Sequence, residues 1–232
     1  MNDEDRLDGL SALGLLDEPV RRRLYDWVVD QPEPVSREQA AKAVGVTRAL
    51  ATFHLDKLVA AGLLEGGYRR LTGRVGPGAG RPARIYSRSP REFSVSVPER
   101  RYRSAADLFA SALERIGGGG PPPVLAEAAR DMGTELGRVA RRGTDRRRLS
   151  TALDRAGYQP ITDEFGTIRL RNCPFDALAA SHRTLVCGTN LALAEGLIGG
   201  AGVTRLRPVL DPQPGLCCVS FVDADSSSTA SS

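Results

Sequence analysis

The sequence predicts an α+β fold in two domains: short helices closed by a β-hairpin at the N-terminus, a helical middle, and a C-terminal domain mixing helices with strands. Three observations carry this expectation. Apolar residues in the first 62 positions recur at helical spacing, punctuated by caps and glycines. Two later stretches, 64–87 and 159–172, read as strand, glycine-bearing turn, strand. GGGGPPP at 117–123 joins a pliant glycine run to a stiff proline segment and marks a loop or hinge. A chain of 232 residues is long enough for two cores.

Residues 17–30, DEPVRRRLYDWVVD, place Val20, Leu24, Trp27 and Val28 on one helical face, with Asp17 as the expected N-cap and Pro19 in the first turn. Ser36 and Gln39 fit a capping box opening SREQAAKAVG, and Gly45 closes it. The next helix opens at Thr47, turns Ala51, Leu55 and Leu58 inward and ends at Gly62. Two short helices joined at a glycine turn make a helix-turn-helix, and a hairpin after the second, with strands near 64–71 and 83–87 and a tip at 76–80, is a wing. GPGAG at the tip lacks the Lys-Ser/Thr and following helix of a phosphate loop.

Helices are expected from about 102 to 117, over VLAEAARDMGTELGRVARRG, and over DRRRLSTALDRAGY closed by Gly157. A hairpin turning at 164–166, one helix from about Phe175 to Leu197, and strands near 204–210 and 218–222 complete the chain. The expected organisation is a DNA-binding domain at 1–92, a helical linker and dimerisation region at 93–145, a sensor domain at 146–223 and a disordered tail at 224–232. No run has the apolar length of a bilayer span, and MNDEDRLDGL lacks the basic and apolar regions of a signal peptide, so a cytoplasmic protein is expected.

Charge says what the first domain meets. From Ser36 to Arg91 there are eleven basic side chains against three acidic ones. Such a surplus is the footprint of a nucleic-acid surface. The second helix of a helix-turn-helix enters the major groove by its N-terminal half. Thr47, Arg48, Thr52 and Phe53 then turn outward, the threonines towards phosphate or base edges and Arg48 able to grip guanine O6 and N7. Ser36 and Arg37 suit a phosphate, Lys57 joins the contact set, and Arg81 and Arg84 lie where a wing meets the minor groove. His54 has two readings, a base contact or a structural histidine packed against the hairpin. RRGTDRRR at 141–148 reads as a solvated helix junction.

VTRALATFHLDKLVAAGLLE followed by GAGRPARIY resembles the winged-helix domain of ArsR-type bacterial regulators, in particular the branch that includes the SUF-operon repressors. The expected partners are a double-stranded DNA operator and a second copy of the chain, paired through helices between about 102 and 142 so that two recognition helices meet a palindrome.

All four cysteines lie late, as C-x13-C-x29-C-C: Cys173, Cys187, Cys217 and Cys218. No C-x2–4-C knuckle of a structural zinc site is present. Widely spaced thiols suit a cluster held from several elements, and Cys173 stands just before a helix whose dipole favours a thiolate. Neighbouring residues on a strand face opposite ways, so only one of Cys217 and Cys218 is expected to point into a shared site, with Cys217 favoured. The alternatives are core cysteines, or a pocket for a small apolar molecule with thiols that are structural or oxidant-sensing. An enzyme with Cys187 as nucleophile and His182 as base lacks both helical stacking and an oxyanion motif, so no catalytic residue is assigned.

The same repressors are similar here too, in NCPF, in a cysteine before NLALAEGL, and in PGLCCV. That resemblance implies a [4Fe–4S] cluster on Cys173, Cys187 and Cys217. It leaves the fourth ligand open among Cys218, His182, Asp176 and Glu195. It further implies a repressor whose hold on DNA follows the state of the cluster.

Overall fold

In the computed structural model, residues 3–69, 82–93, 95, 100–118, 120–138 and 143–225 are described, and the chain divides into two compact units, 1–100 and 101–232.

The acidic N-terminus, to which the sequence assigns no element, forms helix α1 (Asp3–Gly14), whose Ala12 enters the core. After a 3-10 turn at Leu15–Asp17 comes α2 (Pro19–Val29). Its cap is Glu18, one residue later than expected, because Asp17 is still inside that turn. The Glu18 carboxylate accepts from the backbone N–H groups of Val20 and Arg21 at 3.1 and 2.6 Å.

Strand β1 (Val35–Ser36) leads into α3 (Arg37–Val44), capped by the reciprocal Ser36–Gln39 box. Gly45 (φ 73°) holds the left-handed conformation that a side chain resists, and turns the chain into α4 (Arg48–Ala60), capped by Thr47. Strands β2 (Leu64–Arg69) and β3 (Ala83–Arg88) pair antiparallel, and β1 joins them in the order β1-β3-β2. Leu24, Ala51, Leu55, Leu58, Leu64 and Tyr86 fill the core between helices and sheet. The wing tip and Arg81 lie outside the described residues.

In the second unit, α5 (Tyr102–Gly117) and α6 (Pro123–Gly137) are not a separate linker. They belong to one compact unit with α7 (Asp145–Arg155) and the later elements, α6 lying along a long later helix, α9 (Arg183–Ala201), for most of its length. Strands β4 (Pro160–Thr162), β5 (Ile168–Leu170), β6 (Leu206–Leu210) and β7 (Val219–Asp223) form an antiparallel sheet in the order β4-β5-β7-β6. The single helix expected over 175–197 is broken into α8 (Asp176–Ala179) and α9 (Arg183–Ala201). His182 leaves helical geometry (φ −128°, ψ 46°), and its ring bonds Glu114 on α5. By length and composition α9 could cross a membrane, which corrects the reading of the bare sequence. Here it is the central core helix, with Leu193 and Leu197 buried against Ile168, Leu170 and Phe221.

The sequence reading did not anticipate the contact between α6 and α9. Gly133 and Gly137 on α6 face Gly196 and Gly200 on α9, and the helices touch backbone to backbone. A Cβ at Gly133 would collide with the Leu193 carbonyl, at Gly137 with that of Leu197, at Gly196 with that of Arg130 and at Gly200 with that of Thr134. Both sets of partners advance together along the chain, so the helices run parallel.

Candidate DNA interface and thiol cluster

On α4 the buried stripe of Ala51, Leu55 and Leu58 turns Arg48, Phe53 and Lys57 outward. Arg48 is exposed, and its Nε lies 2.9 Å from Glu38 Oε1 on α3; Arg37 approaches the same oxygen at 3.4 Å. Burial raises the Glu38 carboxyl, but its own backbone N–H and the two arginines outweigh that and hold it low. The Thr52 hydroxyl donates back to the Arg48 carbonyl at 2.8 Å, and the Thr47 hydroxyl accepts from Leu50 N–H at 3.3 Å. Both threonines therefore serve the helix itself. Phe53, 53% exposed, carries the Lys57 ammonium over its ring at 4.5 Å. With Leu50, which the sequence reading left out, it offers an apolar surface of the kind that meets thymine methyls.

Three expected contacts turn inward. Ser36 is buried and its hydroxyl is spent on the capping box, accepting from Gln39 N–H at 3.2 Å. His54 is 6% exposed and bonds to residues at the start of α2. Its Nδ1 accepts from Arg21 Nε at 3.3 Å, with Glu18 at 3.5 Å. A ring nitrogen that accepts from a guanidinium carries no proton, so the ring is neutral with its proton on Nε2. Burial drives its pKa down, Glu18 opposes this, and Arg21 and Lys57 add to it. Arg84 lies 2.9 Å from Asp56 on α4, bonds the Tyr68 hydroxyl at 3.3 Å and stacks near the Tyr68 and Tyr86 rings. It fastens the wing to the recognition helix instead of standing free.

In the second unit the four cysteines form one partly buried group. Cys217 is within side-chain hydrogen-bonding reach of Cys173 and of Cys218, and Cys218 within reach of Cys187. Cys217 and Cys218 both take part because they sit in the bend before β7, where strand alternation does not yet apply. The Cys173 thiol, then that of Cys218, then the Val219 backbone N–H and last Asn190 direct hydrogen bonds at the Cys217 sulfur, which hold its pKa low and push those of Cys173 and Cys218 up. Asn190 Nδ2 donates to that sulfur at 3.3 Å, and the Tyr158 hydroxyl donates to Asn190 Oδ1. Burial, with the nearby sulfurs, pushes the Tyr158 phenol up.

Other ligand candidates fare differently. His182 is held by Glu114 at 2.9 Å and has Asp107 at 3.9 Å, while Glu195 pairs with Arg130 at 2.8 Å. Asp176 is close enough to raise the Cys173 thiol by its charge. Among the described residues, no three His, Cys, Asp or Glu side chains are arranged to hold a single metal ion.

A helix-turn-helix with a three-stranded wing, a capped second helix and an outward arginine is the architecture of a DNA-binding domain, as found in transcriptional regulators. Residues 15–66 match the family model of a helix-turn-helix domain, which covers α2 to α4 and the start of β2 and stops well short of the cysteines. Neither the curated proteins nor the solved structures give a significant match to the chain.

Proposed function

We propose that this regulator binds an iron–sulfur cluster, of the [4Fe–4S] type, through Cys173, Cys187 and Cys217 with Cys218 as fourth ligand, and that cluster state sets its affinity for an operator. The observation that carries the reading is the gathering of every cysteine in the chain into one group. An all-sulfur donor set is soft and suits iron–sulfur or thiophilic metal chemistry. A cluster bonds each thiolate to a different iron, so it does not need the sulfurs to converge on one ion. Sulfurs that touch must part to admit it, and the irregular segment 171–175 yields most cheaply. When bound, the group supplies a site that oxidants or iron shortage can remove.

The chain's own residues carry that state outward. Arg103 on α5 donates to the Ala177 carbonyl of α8 at 3.3 Å, and His182, at the start of α9, is held by Glu114 of α5. The segment between Cys173 and Cys187 is thus tied to α5. Helix α5 exposes Tyr102, Phe109 and Ile116 at seven-residue spacing, with Ala105 and Ala112 between them, the seam of a helix pair. A second copy covering that seam would give a homodimer with two recognition helices. By linkage, DNA then stabilises whichever cluster state binds it better.

The test is anaerobic purification and reconstitution, with absorption spectroscopy and iron and sulfide analysis, beside Cys173→Ser. Four irons and four sulfides per chain, lost in the variant, and an operator affinity that changes at least fivefold between holo and apo protein are expected. A colourless, iron-free wild type overturns the cluster. Native mass spectrometry then asks whether a small organic ligand fills the unit instead.

A further inference from the structure

The first unit takes Ala51, His54, Leu55 and Leu58 of α4 into its interior, yet the same helix holds two large apolar side chains, Leu50 and Phe53, out to solvent one turn apart. Phe53 is not left to swing. The His54 ring meets its ring edge-on with 5.2 Å between centroids, and the Lys57 ammonium stands over its face at 4.5 Å. An exposed aromatic held on two sides has already given up rotamer freedom that binding would otherwise take from it. Both side chains follow Arg48 on the N-terminal half of α4, the part of a helix-turn-helix that enters the major groove. The eleven basic side chains against three acidic ones from Ser36 to Arg91 suit a polyanion as the occupant of that face.

Base edges in the major groove present donors and acceptors, and among unmodified bases the thymine C5-methyl is the apolar group they offer. A leucine or phenylalanine set against guanine O6 and N7 or an amino group would strip its water and return no hydrogen bond. We infer that Phe53, with Leu50, is a specificity-determining residue that reads a thymine methyl group, so that each operator half-site carries a thymine close to the guanine held by Arg48. The inference rests on the reading of α4 as a DNA-recognition helix and is independent of the cluster. Five residues of α-helix advance about 7.5 Å, or about two base-pair steps, which sets the distance between guanine and thymine.

The full-length chain, in the anaerobically reconstituted and in the apo state, is used to enrich binding sites from a random duplex library. The enriched duplex is then the probe, with each thymine in turn replaced by uracil, which removes the methyl and keeps every hydrogen bond. At one thymine of each half-site, uracil should weaken wild-type binding about fourfold in an anisotropy titration, the effect of one buried methyl. Phe53→Ala should weaken the thymine duplex about tenfold and bind the thymine and uracil duplexes alike. Thermal melts check that the variant folds. If Phe53→Ala binds too weakly to titrate, Phe53→Leu decides, because its preference for thymine over uracil must fall below that of wild type. A probe with no thymine at which uracil weakens binding overturns the inference, as does a uracil effect that the Phe53 variants leave intact. A wild type that enriches no sequence in either state overturns operator binding itself, and this inference with it.

Discussion

At the scale of single residues, carboxylates and burial decide which basic groups can serve DNA. Arg48 is outward and charged, yet Glu38 neutralises it in the free protein. A phosphate or guanine must therefore displace a carboxylate. Arg48→Ala should weaken operator binding by about 1–3 kcal/mol and relax the base preference at one position of each half-site. Glu38→Gln should tighten binding severalfold in a fluorescence-anisotropy titration, most visibly at low salt. Tighter binding by Arg48→Ala would remove that arginine from the interface. His54 gives a pH effect. Its folded pKa is lowered, so below the unfolded value of 6.5 the unfolded chain takes up a proton more readily than the folded one. Its contribution is complete above that pH and is lost as pH falls through it. Urea unfolding between pH 5 and 8, followed by the Trp27 fluorescence of the same unit, should show this slope in wild type and not in His54→Gln.

The elements show what sequence can and cannot yield. The capping box at Ser36, the cap at Thr47 and the left-handed Gly45 were legible because each is set by residues a few positions apart. The break at His182 was not, because it depends on Glu114, 68 residues away. That Cys217 and Cys218 share one site was hidden by where β7 begins, since a strand starting two residues earlier would have separated them. The inward turn of His54 follows from Arg21 and Glu18, which no helical period reveals. The glycines of α6 and α9 were written plainly as G-x-x-x-G, but only facing helices give that spacing meaning. They support a graded test. Gly133→Ala or Gly196→Ala drives a methyl group into a backbone carbonyl and should cost about 1–3 kcal/mol or more. Gly199→Ala, in the same helix with nothing within 4 Å, should gain up to about 1 kcal/mol. Thermal melts of the three variants decide it, and equal losses in all would refute the seam.

For the whole molecule, the two units have separate cores, and the proposed function gives them separate tasks, reading DNA and holding a cluster. The proposed dimer would form through the exposed seam of α5. Phe109→Glu places a charge in the exposed seam, where a monomer tolerates it and a symmetric pair does not. Sedimentation should then show a dimer for wild type and a monomer for the variant, with operator binding reduced at least tenfold. A dimer that survives the substitution would move the interface elsewhere.

The seam between α6 and α9 has a mechanical consequence. At the four glycines the backbones meet with no Cβ between them, and the Thr134 hydroxyl and the Arg130–Glu195 pair cross the same contact, so the pair behaves as a single strut. A push on the turn of α9 that bears Cys187 is delivered undamped along both rods.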